Sequence, residues 1–243
     1  MLVEHDEIIG QQAAKLGGVF MLDPDTILAG EALGLDLAAF YGLGRAGVLG
    51  DTSGEVAHAT MYFFPRSMVV PAWARASAVM SPGQAVEHYA EACRAWGRKH
   101  LDGAAGLARI CELVERVIGA ADPSGRALFA GWAAVALPDD LPGRCAQVLH
   151  VLREMRGGSH IAAVMACGLT PLQAVLVDGG PDTAMMFGWP GPFPDATQFA
   201  ALHAQAVVTT DRLTEHDLAT LTAAERAELA GLLTALAEIA PTR

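Results

Sequence analysis

The chain has 243 residues, of which 52% are apolar and 18% are charged. This composition is typical of a globular protein and excludes a disordered one. The formal net charge is -11 and the basic residues are scattered, so the clustered basic face of a nucleic-acid-binding protein is not apparent. The four cysteines are isolated and lack zinc-ligand spacing, which indicates reduced and mostly buried thiols: Cys93, Cys111, Cys145 and Cys167.

The N-terminal segment is acidic, with Glu4, Asp6 and Glu7, so no signal peptide is predicted. Apolar stretches are interrupted by glycine, proline or charge before they reach roughly 18 residues, and no membrane span is expected. We therefore predict a cytoplasmic protein that has no membrane partner and is either a monomer or a homodimer.

Helix-start signals recur along the chain. Asp23 precedes a proline at the first helical position. Capping boxes or close variants begin at five further positions: Thr52, Ser81, Thr170, Thr214 and Thr222. Apolar residues at helical spacing predict helices over 84–100, 107–119, 143–167 and 223–239. Gly157 and Gly158 are the point where the third of these helices is expected to break.

Strand signals are few. Short apolar runs at 62–64, 69–70 and 184–187 resemble strands, but proline follows each closely. We therefore predict an all-α fold with short β-wings at these segments.

The two halves of the chain follow a similar plan. In each, an arginine (Arg45, Arg156) precedes a capped helix, an aromatic run that ends in proline, and a polar-patterned closing helix. We predict two similar winged-helix-like units, 1–122 and 123–243, packed about a pseudo-twofold axis. The offset drifts from 111 residues between the arginines to 125 between Met61 and Met186, so chance similarity of alanine-rich helices is the alternative.

Arg156 and His160 lie four residues apart and share one face of a helix. Their neighbours are apolar, and a buried guanidinium requires a carboxylate, a phosphate or several carbonyls. An anionic ligand would meet this need, with His160 as a hydrogen-bond donor, a proton shuttle or a metal ligand. The alternative is a helix crossing at small residues, with Arg156 paired to Glu154 or to a distant aspartate.

Tyr41 and Arg45 form the corresponding pair in the first half. If the units pack about a twofold axis, both arginines converge on one cavity, and two fixed positive charges suit an anionic small molecule. Alternatively, Tyr41 lies at the core edge and Arg45 caps a helix. Trp189, in a loop restricted by three prolines, completes the predicted ligand site: Tyr41, Arg45, Arg156, His160 and Trp189.

Metal and cofactor motifs are weak. Glu55 and His58 have the spacing of carboxylate-bridged di-metal bundles, but the counterpart at 173–176 supplies no such ligands. Phosphate-loop, nucleophile-elbow and zinc-protease motifs do not occur in the sequence. We predict no metal site, and the sequence identifies no cofactor.

Four segments resemble an actinobacterial family of helix-turn-helix proteins: LHVLREMRGGSHIAAVMACGLTPLQ at 149–173, DPSGRALFAGW at 122–132, RAGVLGD at 45–51 and FGW at 187–189. The resemblance covers nearly the whole chain. It implies helical, winged-helix-like units related to MarR-type regulators, and it implies no demonstrated activity.

Three functional hypotheses remain open at this level. The first is a regulator-like protein that binds a small molecule at the seam between its units. DNA binding would be weak or absent, since 170–187 contains no Lys or Arg. The second is an enzyme acting on an anionic small molecule, with Arg156 as anchor and His160 as the candidate catalytic acid or base. The third is a structural or interaction protein.

Overall fold

The computed structural model describes residues 2–241. Within this range no single helix is both long and apolar enough to cross a membrane. Three short 3-10 turns lie at Val19–Leu22, Gly47–Leu49 and Thr197–Phe199. The described residues form twelve α-helices: α1 (Leu2–Leu16), α2 (Pro24–Ala32), α3 (Leu37–Ala46), α4 (Gly54–Thr60), α5 (Arg66–Ser77), α6 (Pro82–Leu101), α7 (Leu107–Ala120), α8 (Ala127–Ala133), α9 (Leu141–Ala166), α10 (Pro171–Met186), α11 (Ala200–Leu218) and α12 (Ala223–Ile239).

The all-α prediction is confirmed, and the predicted β-wings are wrong, because residues 2–241 contain no strand. The run 69–70 lies inside α5, 184–186 ends α10, and 62–64 forms a turn after α4. Short apolar runs fit a buried helix face as well as a strand, so periodicity alone could not separate the two.

Most predicted helix starts are confirmed. Complete capping boxes begin α6, α10 and α12 at Ser81, Thr170 and Thr222, and Asp23 caps α2. The start near residue 52 shifts by one, since Ser53 caps α4. The start predicted at Thr214 is wrong, because Thr214 lies inside α11 and its hydroxyl donates to the Thr210 carbonyl at 2.9 Å.

Helix α9 is the central element of the fold. It packs against α1, α6, α7, α8 and α11, and it runs without a break through Gly157 and Gly158, so the predicted interruption is wrong. Its residues from Cys145 to Leu152 are buried on every face, as expected for a helix enclosed by other helices. Because α9 also carries Arg156 and His160, these side chains start from a fixed position.

The main core draws on both predicted units. Its buried residues run from Ile9 to Met155 and return in Leu218 to Ala240. Helix α1 packs against α12 and α9, and Arg226 of α12 forms a buried ion pair with Asp6 of α1, at 2.7 Å. The two ends of the described chain therefore share one core, while the internal duplication stays a prediction.

Candidate functional site

A cavity of about 1060 Å³ lies between α9 and the helices around it. Four of the five predicted ligand residues line it: Tyr41, Arg45, Arg156 and His160. The fifth, Trp189, is not among the lining residues. Its indole N–H donates to the Phe63 carbonyl at 3.0 Å, which ties the loop after α10 to the turn after α4.

Aromatic and aliphatic side chains form much of the cavity wall. The turn after α4 supplies Tyr62, Phe63 and Phe64. Phe64 stacks on Phe187 with ring centroids 4.5 Å apart and contacts the ring of Tyr41 at 5.3 Å. These rings provide an apolar surface for a ligand with a hydrophobic body.

Arg45 has a full set of partners. Its Nε and Nη2 donate to the two carboxylate oxygens of Glu154 at 2.9 and 2.8 Å, and its Nη1 donates to the Tyr41 hydroxyl at 2.7 Å. Glu154 also accepts from Arg153 at 2.7 Å. Arg45 is thus an ion-pair partner of Glu154 across the fold, and it does not cap a helix. Glu154 therefore pairs with Arg45, and Arg156 forms its ion pair with Asp211 instead.

Both side chains of this ion pair stay charged despite their burial. Burial disfavours the charged guanidinium, but the nearby Glu154 and Tyr41 outweigh it and raise the pKa of Arg45. Burial likewise opposes the carboxylate, yet Arg45 and Arg153 lower the pKa of Glu154 to about 2. The pair therefore stays ionised across the physiological pH range.

Arg156 is held far more loosely. Its only ion pair among the described residues joins Nη2 to Asp211, at 3.4 Å, which is long for a hydrogen bond. Its Nε is buried without a partner in residues 4–241. The side chain passes over Gly10 of α1, where a Cβ would lie 2.8 Å from Nε. Arg156 consequently has donors that its one ion pair does not occupy.

His160 faces α11 across the cavity wall. Its Nδ1 lies 2.9 Å from the Thr210 hydroxyl oxygen, and its ring centroid lies 5.5 Å from Phe63 and 6.2 Å from His203. Burial, followed by the positive charge of Arg156 and by His203, lowers the pKa of His160 to about 4. The imidazole is therefore neutral at pH 7.

The cavity lining is basic although the chain is acidic. It contains six basic residues and three acidic ones, a formal charge of +3 in a chain of -11: Lys15, Arg45, Arg75, Arg126, Arg153 and Arg156, against Asp36, Glu154 and Asp178. Some are paired, as Arg126 is with Asp217, whereas Lys15 has no ion pair within residues 4–241. A local excess of positive charge in a cleft attracts anions.

Several residues of the site were not predicted from the sequence. Arg153, Arg156 and His160 follow the i, i+3, i+7 spacing of one helix face, a signal that could have added Arg153. His203, which lines the cavity, and Thr210, which contacts His160 from outside the lining, gave no comparable signal, since α11 reaches the site only through tertiary packing.

The described residues contain no cluster of three or more His, Cys, Asp or Glu side chains that could hold a metal ion. Glu55, one half of the Glu-x-x-His pattern, instead accepts from Nε of Arg66 at 2.9 Å.

Two sharp helix corners lie beside the cavity. The first corner joins α2 to the helical segment Leu37–Leu49 with a bend of 91°, and the second joins α9 to α10 with a bend of 114°. Each has a four-residue turn, 33–36 and 167–170. Both turns contain a left-handed glycine, Gly34 at φ 77° and Gly168 at φ 75°, which ends the first helix at low conformational cost.

Two helices at roughly 90–120° joined by a short glycine-containing turn have helix-turn-helix geometry. Residues 9–227 match the model of a helix-turn-helix family. The chain belongs to that family. No curated protein and no solved structure matches this helix-turn-helix chain.

The second helices of the two corners carry little positive charge. In α10 the only charged residues are Asp178 and Asp182, and a kink at Gly180 divides the helix. In α3 the only charged residue is Arg45, which is buried against Glu154. Neither helix presents an exposed basic side chain.

Proposed function

We propose that this helix-turn-helix protein is a regulator-like binder of small organic anions, with the ligand seated in the cavity beside α9. The observation that carries the proposal is the pairing of an aromatic wall with an excess of basic groups in a strongly acidic chain. The volume suits a ligand with a sizeable apolar body, since small-molecule sites in proteins span roughly 300–1,000 Å³.

The polar groups of the cavity have different proposed roles in binding. Arg156 and Lys15 have donors to spare and would anchor the anionic group. Tyr41 accepts from Arg45 through its oxygen, and its own hydrogen has no acceptor among residues 4–241. It would therefore be free to donate to a ligand in the cavity. Arg45 acts through Tyr41 and Glu154, as a support that need not touch the ligand.

DNA binding is proposed to be weak or absent. In helix-turn-helix regulators the second helix enters the major groove, and phosphate contacts from basic residues supply much of the affinity. The acidic α10 and the buried Arg45 of α3 offer neither. Fluorescence anisotropy with mixed-sequence duplex DNA tests this: we expect no binding that persists at physiological salt, and tight, salt-dependent binding would overturn it.

The enzymatic alternative is less favoured by the geometry. A general base works best with a pKa near the working pH, and the pKa of His160 lies at about 4. The relation to MarR-type regulators, the actinobacterial origin and the duplicated units remain predictions, as do the cytoplasmic location and the choice between monomer and homodimer.

Thermal unfolding with a panel of aryl-substituted carboxylates tests the binding proposal. We expect some acids to raise Tm, and their neutral amides to have no effect. Arg156→Ala should strongly reduce the shift. Arg212→Ala is the matched control, because Arg212 is an exposed arginine on α11 outside the cavity lining. Stabilisation by acids and amides alike, or an equal response from both variants, would contradict an anion site at Arg156.

A further inference from the structure

The hydrogen bonds of Thr210 fix the tautomer of His160. A threonine hydroxyl has one hydrogen to donate. The Oγ1 atom of Thr210 lies 2.7 Å from the Ala206 carbonyl oxygen, one turn earlier in α11. A carbonyl can only accept, so the hydrogen points at Ala206. The contact between Thr210 Oγ1 and His160 Nδ1, at 2.9 Å, therefore requires Nδ1 to carry the hydrogen.

Thr210 cannot readily adopt another arrangement. Its side chain is fully buried, so water cannot replace Ala206 or His160 as its partner. The neutral imidazole has a single N–H, which Thr210 occupies at Nδ1. The other nitrogen, Nε2, is left with a lone pair and forms no hydrogen bond within residues 4–241.

Three polar residues line the cavity with His160, and within residues 4–241 none of them donates a hydrogen bond to Nε2. His160 lines the cavity together with Arg156, His203 and Asp178. Asp178 offers carboxylate oxygens, which accept hydrogen bonds. Arg156 forms its one ion pair among the described residues with Asp211, and the His203 ring centroid is 6.2 Å from that of His160.

We infer that the cavity selects anions that also carry a hydroxyl or N–H donor, which the ligand places against Nε2 of His160. The inference deepens the proposed function and rests on it. A site that is built to pair with a donor discriminates against an analogue that lacks one, because the bound analogue would cover Nε2 and leave it unpaired. We expect a preference of about tenfold or more.

The tautomer is tested on the unliganded protein by long-range ¹H–¹⁵N correlation of labelled histidine rings at pH 7, with His160→Gln to assign the signals. We expect a hydrogen on Nδ1 and none on Nε2. Thr210→Val should release this preference and Thr210→Ser should retain it. A hydrogen on Nε2, or a doubly protonated ring, in the unmutated chain would overturn the inference.

Selection is tested by calorimetry with 3-phenylpropanoate and two hydroxylated analogues, 3-phenyllactate and 3-(4-hydroxyphenyl)propanoate. At least one hydroxylated acid should bind about tenfold more tightly. His160→Leu should erase this preference, and His160→Gln, which keeps an acceptor oxygen, should preserve part of it. Equal affinity for all three acids contradicts the inference alone. Failure of all three to bind contradicts the proposed function and the inference with it, whatever the tautomer.

Discussion

The two arginines of the cavity show how the same residue type, in a similar local pattern, takes on different roles. Arg45 gives its donors to Glu154 and Tyr41, whereas Arg156 makes one long contact with Asp211. The spacing of four residues to Tyr41 and to His160 does not distinguish them. The nearest carboxylate does, since Glu154 lies within reach of Arg45 and is fully buried with it. Arg45 belongs to a structural ion pair, whereas Arg156 is available to a ligand.

The largest effect on stability is expected from breaking the ion pair between Arg45 and Glu154. Glu154→Gln leaves the guanidinium of Arg45 buried without its counterion, and removing one partner of a buried ion pair costs about 3–5 kcal/mol of unfolding free energy. Urea unfolding measures this. The matched control is Asp211→Asn, which removes the charged partner of Arg156. We expect it to lower the free energy of unfolding by about 1 kcal/mol or less. Equal losses in the two variants would contradict the distinction between a structural Arg45 and a loosely held Arg156.

Acid should weaken the fold through two histidines near the cavity. The pKa of His150 is lowered to about 4, mainly by burial, with Glu154 opposing and Arg153 and Arg45 adding to the effect. The pKa of His160 is lowered to about 4 by burial, Arg156 and His203, with Asp178 opposing.

Unfolded histidines take up protons below their ordinary pKa of about 6.5, while these two stay neutral in the fold until about pH 4. The unfolded state therefore binds more protons in that window, and stability falls as the pH drops through it. The slope is at most about 1.4 kcal/mol per pH unit for each histidine. Urea midpoints from pH 7 to pH 5 measure it, and His160→Gln should reduce the slope. An unchanged slope in that variant would show that His160 titrates normally.

A smaller effect is expected at Trp189. Trp189→Phe removes the N–H that donates to the Phe63 carbonyl but keeps the aromatic surface, so stability should fall by about 1 kcal/mol. Because Trp189 lies outside the cavity lining, the thermal response to acids should be unchanged. A lost response would place Trp189 in the ligand site after all.

Local features of the fold were predictable from the sequence, and distant partners were not. The capping boxes at Ser81, Thr170 and Thr222 and the apolar periodicity of α6, α7 and α12 depend on neighbouring residues, so the helices followed directly. Glu154 and Arg45 are 109 residues apart, and no local pattern joins them. The pairing follows only from how α3 packs near α9.

The candidate site shows the same limit. The shared face of Arg156 and His160 was readable from their spacing, and both line the cavity. Thr210, which fixes the tautomer of His160, lies on α11, 50 residues away. Its role depends on the burial of its hydroxyl between two helices, which sequence periodicity does not report.

Calorimetry with the acid that gives the largest thermal shift, using the unmutated chain, Arg156→Ala and Arg212→Ala, tests most directly whether Arg156 anchors the anion. A charged hydrogen bond contributes about 1.5–3 kcal/mol, so Kd should rise by about tenfold to a hundredfold in Arg156→Ala and stay unchanged in Arg212→Ala. The same Kd in all three proteins would contradict the claim that the loosely held arginine is the anion anchor.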